Sequence, residues 1–149
     1  MHEYRATTSW RRTSEAFTYD TYNRAHEVKF AGGEVIPWSA APEFKGDADR
    51  VNPEEAFVAS LSTCHMLTFL ALCARKRFTV DTYFDEATGV LERNATGKFW
   101  VARVSLRPRV AFSGARQPST GELSDLHRTA HETCFVANSV KSEVTVDWQ

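Results

Sequence analysis

Hydrophobic and polar positions along the chain change period several times, and the longest regular stretch lies near its centre. From Ala56 to Ala74 nineteen residues carry no formal charge. Just upstream, Asn52 can cap a helix, Pro53 suits the first helical position, and Glu55 stands where a capping-box carboxylate reaches back. A helix is therefore predicted from the Asn52 cap, ending at the basic triplet Arg75, Lys76, Arg77, which complements its C-terminus.

Elsewhere the pattern alternates. Tyr4, Ala6, Thr8 and Trp10 share one parity within Glu3–Trp10, which suits a half-buried strand. The stretch Phe17–Phe30 reads as further extended structure, with Tyr22, Arg24, His26, Val28 and Phe30 on one face. That places Arg24 and His26 on the apolar side, and an edge strand whose Arg24 reaches back to water is the plainer account. Gly32 and Gly33 supply a turn, Val35–Trp38 a short strand, and Ser39–Val51 a loop.

After the helix, Phe78, Val80, Thr82 and Phe84 alternate with polar residues, and Ala87–Glu92 continues past a bulge or break. Asn94–Gly97 is a turn. Lys98–Phe112 is the longest strand expected, burying Trp100, Ala102, Val104, Leu106, Val110 and Phe112. These segments predict an antiparallel hairpin. Beyond the loop Ser113–Ser119, a second capping box, Ser119 with Glu122, opens a helix from Thr120 to Thr133 or Cys134, with Leu123, Leu126, Ala130 and Cys134 at helical spacing. A final strand alternates through Val140, Ser142, Val144, Val146 and Trp148. No repeat or linker interrupts the order, so a single α+β domain over residues 1–149 is expected.

Bulk properties narrow this picture. At 149 residues, 42% hydrophobic and 25% charged, the chain has the composition of a soluble globular protein. Its net charge of −1, from 18 basic and 19 acidic side chains, gives no electrostatic reason to expect nucleic acid. The polar N-terminus lacks the apolar core of a signal peptide, which makes the cytoplasm the expected location. The uncharged helix would span about 28 Å, but Ser60, Ser62, Thr63, Cys64, His65 and Thr68 cluster at its centre, where lipid penalises them most, so no membrane is expected. A helix apolar nearly all round must then be wrapped by protein, and a second subunit is a natural candidate.

Three cysteines are too few for a disulfide-stapled secreted domain. Each could simply fill space, and Cys73, half a turn away in angle from Cys64, reads that way. Cys64 lies mid-helix with His65 beside it; Cys134 lies at the end of the second helix. A zinc site is one alternative, since His127, His131 and Cys134 share a helical face and Cys64 and His65 could add ligands, although no CxxC or HExxH element supports it. The plainer account makes His127 and His131 partly exposed helix histidines. Thiol redox chemistry is another. Cys64 is too far from a helix N-terminus to gain from the dipole, so it needs a cation from elsewhere. Arg24 could be that cation and Glu54 its holder, because Glu54 lies about 15 Å along the helix from Cys64 and cannot touch the thiol itself.

The segments NPEEAFVASLSTCHM, Asn52–Met66, and HETCFVANSV, His131–Val140, resemble the osmotically inducible protein and organic hydroperoxide resistance (OsmC/Ohr) family. The first matches that family's N-P-E segment with a cysteine ten residues after the glutamate, the second its other cysteine and return strand. The resemblance implies antiparallel sheets wrapped around long central helices in an intertwined homodimer. It implies two active sites at the dimer interface and a thiol-dependent peroxidase activity. Cys64 matches the peroxide-attacking cysteine, Cys134 the resolving cysteine, Glu54 the carboxylate that orients an arginine. That arginine is Arg24, with Arg12 the alternative. No cofactor is implied; an external thiol, for relatives often a dihydrolipoyl group, would be the reductant. His65 stands where an aromatic residue is frequent, and CFVANS departs from the CPxSNA-like run of the hydroperoxide-resistance branch, which points to a distinct OsmC-like subgroup. A dimeric ligand-binding protein without catalysis uses the same pocket and is the alternative from another class.

Overall fold

The computed structural model describes residues 1–149, which divide into two compact units, Met1–Ala56 and Phe57–Gln149. In the first unit β1 (Ala6–Ser9), β2 (His26–Phe30) and β3 (Val35–Trp38) form an antiparallel sheet in that order. The extended stretch expected from Phe17 is strand only from His26; residues 18–22 form a turn with flanking bends. Local hydrogen bonds outcompete a ladder there, with Tyr22 N donating to Thr18 O and Asn23 bridging Thr13 N and Arg11 O. All four residues of β1 are exposed within the chain, so its expected half-buried face has no cover from this unit.

The loop into the central helix is fixed by buried Ser39, whose N donates to Val51 O and whose Oγ accepts from Asp47 N at 3.0 Å. Asn52 then caps α1 (Pro53–Arg75) as expected: Glu55 N donates to Asn52 Oδ1 at 2.8 Å, and Asn52 N donates to the Glu55 carboxylate at 3.3 Å. The helix stops at Arg77, which takes the left-handed conformation, while Phe78 N donates to Cys73 O across the end.

The second unit holds β4 (Thr79–Asp85), β5 (Thr88–Arg93), β6 (Phe99–Leu106), β7 (Pro108–Ser113), α2 (Thr120–Thr133) and β8 (Glu143–Val146). β5, β6 and β8 make one sheet, antiparallel between β5 and β6 but parallel between β6 and β8; β4 and β7 pair separately. The single strand expected over Lys98–Phe112 is thus two strands in two sheets. Arg107 is where the chain changes sheets: its N–H donates to the Asp85 carboxylate rather than to a neighbouring strand, and Pro108 has no N–H to offer. The final strand, Glu143–Val146, is shorter than the expected Val140–Trp148, with a bend at Ser142 just before it.

Leu61, His65, Phe69 and Cys73, spaced by four, form the buried stripe of α1. Phe69 and Cys73 pack with Phe78, Leu126 and Ala130; Leu61 packs with Val104 and Leu106 of β6. Only 22% of the apolar window of α1 is buried by its own chain, and by length and composition this helix could cross a membrane.

The turn before α1 gives a specific expectation. A Cβ on Gly46 would lie 1.7 Å from Ala40 O, whereas one on Gly32 would meet nothing within 4 Å. Gly46→Ala should therefore destabilise the fold by at least about 2 kcal/mol, and Gly32→Ala should stay within about 0.5 kcal/mol, in urea unfolding followed by circular dichroism.

Candidate functional site

The thiols of Cys64 and Cys134 are brought together from positions seventy residues apart in sequence. Cys64, in the middle of α1, is partly exposed; Cys134 is 1% exposed and caps the C-terminus of α2. α2 is held at its start by the expected capping box, with Glu122 N donating to Ser119 Oγ and Ser119 N to the Glu122 carboxylate. At its end Cys134 N donates to His131 O, and the chain turns so that Ala137 N donates to Cys134 Sγ at 3.4 Å. Burial raises the pKa of Cys134, and a hydrogen bond to Cys64 raises it further, against the opposing pull of the Ala137 N–H. Cys134 is therefore a protonated thiol at neutral pH, close to the partly exposed Cys64. Cys73 sits elsewhere on α1, buried, with its thiol pushed up to about 11 by desolvation, and is inert packing.

Beside the thiols lies a polar pair that sequence reading did not join. His65 is fully buried, and its Nε2 is 3.1 Å from Nδ1 of His127, which is 2% exposed. His127 is thus a core residue, not the partly exposed helix histidine expected. The two rings lie nearly coplanar, edge to edge, with centroids 5.4 Å apart and an interplanar angle of 4°, and His127 also stacks on Phe69 at 4.2 Å and on Trp148 at 5.6 Å. His65 Nδ1 is buried without a partner. A proton there would be an unpaired buried donor, so the favoured tautomers have His65 Nε2–H donating to His127 Nδ1. Desolvation lowers the pKa of His65 to about 4, assisted by the charge of His131 and opposed by Asp85, and that of His127 to about 3, assisted by His65. One signal could have found His65: it falls on the Leu61, Phe69, Cys73 stripe.

His127, Ser124, Arg128, His131, Val146 and Trp148 line a cavity of about 230 Å³. No group of three or more His, Cys, Asp or Glu side chains is arranged to hold a metal ion, which removes the geometric basis of the zinc reading. Asp85 accepts from Ser62 of α1 as well as from Arg107 N, so the centre of α1 is tied to β4 and to the sheet crossing.

The other two candidates lie in the first unit. Arg24 is not on a strand; its guanidinium donates to the carbonyls of Tyr22 and Tyr19 and lies 3.8 Å from the Tyr22 ring centroid. Its Nε is buried without a partner. Trp10, Phe17, Tyr22, Arg24 and His26 line a largely apolar cavity of about 660 Å³. Arg12 donates to the carbonyls of Ser14 and Glu15. Glu54, in the first turn of α1, is half-buried and pairs with neither arginine.

The chain is thus a mixed α+β protein in which a partly exposed cysteine of one helix lies close to a buried cysteine at the end of the other. Residues 46–149 match the model of the OsmC-like protein family, and the chain belongs to that family. An OsmC-like protein of unknown function from Vibrio cholerae is 46% identical, with 100% of both chains covered and a TM-score of 0.96. The organic hydroperoxide resistance protein of Elizabethkingia anophelis, at 19% identity and TM-score 0.73 over 99% of this chain and 94% of that one, shares the fold. So does OhrB, an organic hydroperoxide resistance protein of Bacillus subtilis, at 16% identity and TM-score 0.71 over 99% and 98% of the two chains. No curated protein matches the chain significantly.

The histidine pair makes stability pH-dependent with a definite sign. In the unfolded chain both imidazoles take up protons near pH 6.5; in the folded one they do so only near 4 and 3. Their contribution is complete above pH 6.5 and is lost as pH falls below it. Between pH 7.5 and 5 the loss should be about 2 kcal/mol per histidine, read from urea unfolding, and His127→Phe should remove its share of the slope.

Proposed function

We propose that the protein is a thiol-dependent peroxidase that reduces organic hydroperoxides, with Cys64 as the attacking and Cys134 as the resolving cysteine. The observation that carries this reading is the closeness of a partly exposed and a fully buried cysteine on two helices. On this reading a peroxide meets the first, and the second finishes the reaction.

Cys64 as thiolate attacks the terminal peroxide oxygen; the O–O bond breaks, an alcohol leaves, and the sulfur becomes a sulfenic acid. The Cys134 sulfur then attacks Cys64, its proton leaves with the sulfenic hydroxyl as water, and a disulfide forms. A dithiol reductant, such as a dihydrolipoyl group, returns both cysteines to thiols by exchange. The cation that would accompany the attacking thiolate is assigned by resemblance to Arg24, oriented by Glu54, with Arg12 the alternative. The names of the Elizabethkingia and Bacillus relatives support organic hydroperoxide as the substrate class.

The same reading makes the protein a homodimer. α1 leaves Ala59, Thr63, Leu67 and Ala71, again spaced by four, exposed within the chain, Leu67 at 59%. A stripe of small and apolar side chains suits a second copy better than lipid, because the same helix carries Ser62 bonded to Asp85 and the buried His65.

Two outcomes are expected. Cys64→Ser should abolish turnover of cumene hydroperoxide, and Cys134→Ser should leave peroxide consumption for one turnover but form no intramolecular disulfide on mass spectrometry; full turnover in Cys64→Ser overturns the reading. Light scattering should give twice the chain mass, and Leu67→Glu should shift it toward the monomer.

A further inference from the structure

The geometry points to a role for His65 and His127 as positioning residues for the two thiols: their hydrogen bond sets the register of α1 against α2 at which Cys134 meets Cys64. This inference rests on Cys64 and Cys134 forming a working pair, as proposed above, but not on the identity of their oxidant.

Four observations converge. His65 is the residue directly after Cys64, and His127 precedes Cys134 by seven residues, two turns of the same helical face. The two helices are thus tied by the imidazole pair at 3.1 Å, and the thiols of Cys64 and Cys134 lie near enough for one to act on the ionisation of the other. The tie is shielded: both residues are at most 2% exposed, their rings lie nearly coplanar, and His127 is flanked by Phe69 and Trp148. Finally, the bond is directional in an otherwise apolar contact made by Phe69, Cys73, Leu126 and Ala130. Apolar faces tolerate small slides; a buried hydrogen bond with one donor and one acceptor does not. Disulfide closure needs the two Cα atoms within a narrow range and a restricted torsion, so a slide of α2 that packing would accept still separates the sulfurs.

The test needs no peroxide. Reduced protein is equilibrated with mixtures of reduced and oxidised glutathione, in which one oxidised glutathione takes two electrons from Cys64 and Cys134 to give the protein disulfide and two reduced glutathiones. The fraction oxidised, assigned by mass spectrometry, yields the effective concentration of one thiol at the other. His127→Phe keeps the stacking and loses the acceptor; the effective concentration should fall about tenfold or more. His127→Asn places an amide oxygen near the lost Nδ1 and should restore it to within about threefold of the native value. Val104→Ala, a truncation in the core around Leu61 and Leu106, should melt lower yet leave the value nearly unchanged. Where His127→Phe does not fold, His65→Leu and His65→Gln make the same comparison from the α1 side. An unchanged value in a folded His127→Phe or His65→Leu, or an equal loss in Val104→Ala, overturns the inference. Native protein that exchanges with glutathione but turns over no hydroperoxide would overturn the peroxidase reading and leave this one standing.

Discussion

A helix without formal charge over nineteen residues has no face that water favours, and the structure is arranged by how that surface is covered. Its own chain covers one stripe, Leu61, His65, Phe69 and Cys73, with two small cores, one against β6 and one against α2. Each fully buried Leu or Phe contributes about 1.5–3 kcal/mol by leaving water, so the stripe fixes which way the helix turns. Once that rotation is set, Cys64 and Ser62 point to the flanks. Ser62 is taken by Asp85, which also holds the sheet crossing at Arg107; Cys64 is left partly exposed near the end of α2. The remaining face is what a second copy would have to cover.

The stripe contains one residue that an apolar core would not select. Burying His65 and His127 costs desolvation that is offset only if both stay neutral and one donates to the other. Their lowered pKa values are the signature of that arrangement, and they come from the same burial that holds the thiol of Cys134 protonated. The neighbourhood between α1 and α2 is a place where charge is suppressed.

How much of this could be read from the sequence depends on the range of the interaction. The two capping boxes were legible because each is closed within four residues, and both are made as expected. The motif around Cys64 and Cys134 was legible through family resemblance, although no spacing rule joins residues seventy apart. Three things were not. The extended reading of Phe17–Phe30 failed at its first half, where alternation of side chains competes with turns built by Asn23 and Thr21. The strand over Lys98–Phe112 keeps its alternation across Arg107 while changing sheets, because the break is made by a distant carboxylate. His127 was read from α2 alone as a partly exposed histidine, and its burial is decided by Phe69, His65 and Trp148, none of them local to it.

The three cysteines then show why position in the fold, and not residue type, decides reactivity. Cys64 and Cys73 share a helix and differ by half a turn. That rotation puts Cys73 among Phe69, Phe78 and Leu126, where no solute reaches it and ionisation is pushed up to about 11. It puts Cys64 at a partly exposed flank facing Cys134. Cys134 is as buried as Cys73, but its sulfur accepts from Ala137 N and touches another thiol, so its burial serves a different end. A buried thiol that meets no sulfur only fills space. One that lies beside a partly exposed cysteine is hidden from external oxidants while staying close to its neighbour, which is the division of labour that the proposed two-cysteine reaction would require.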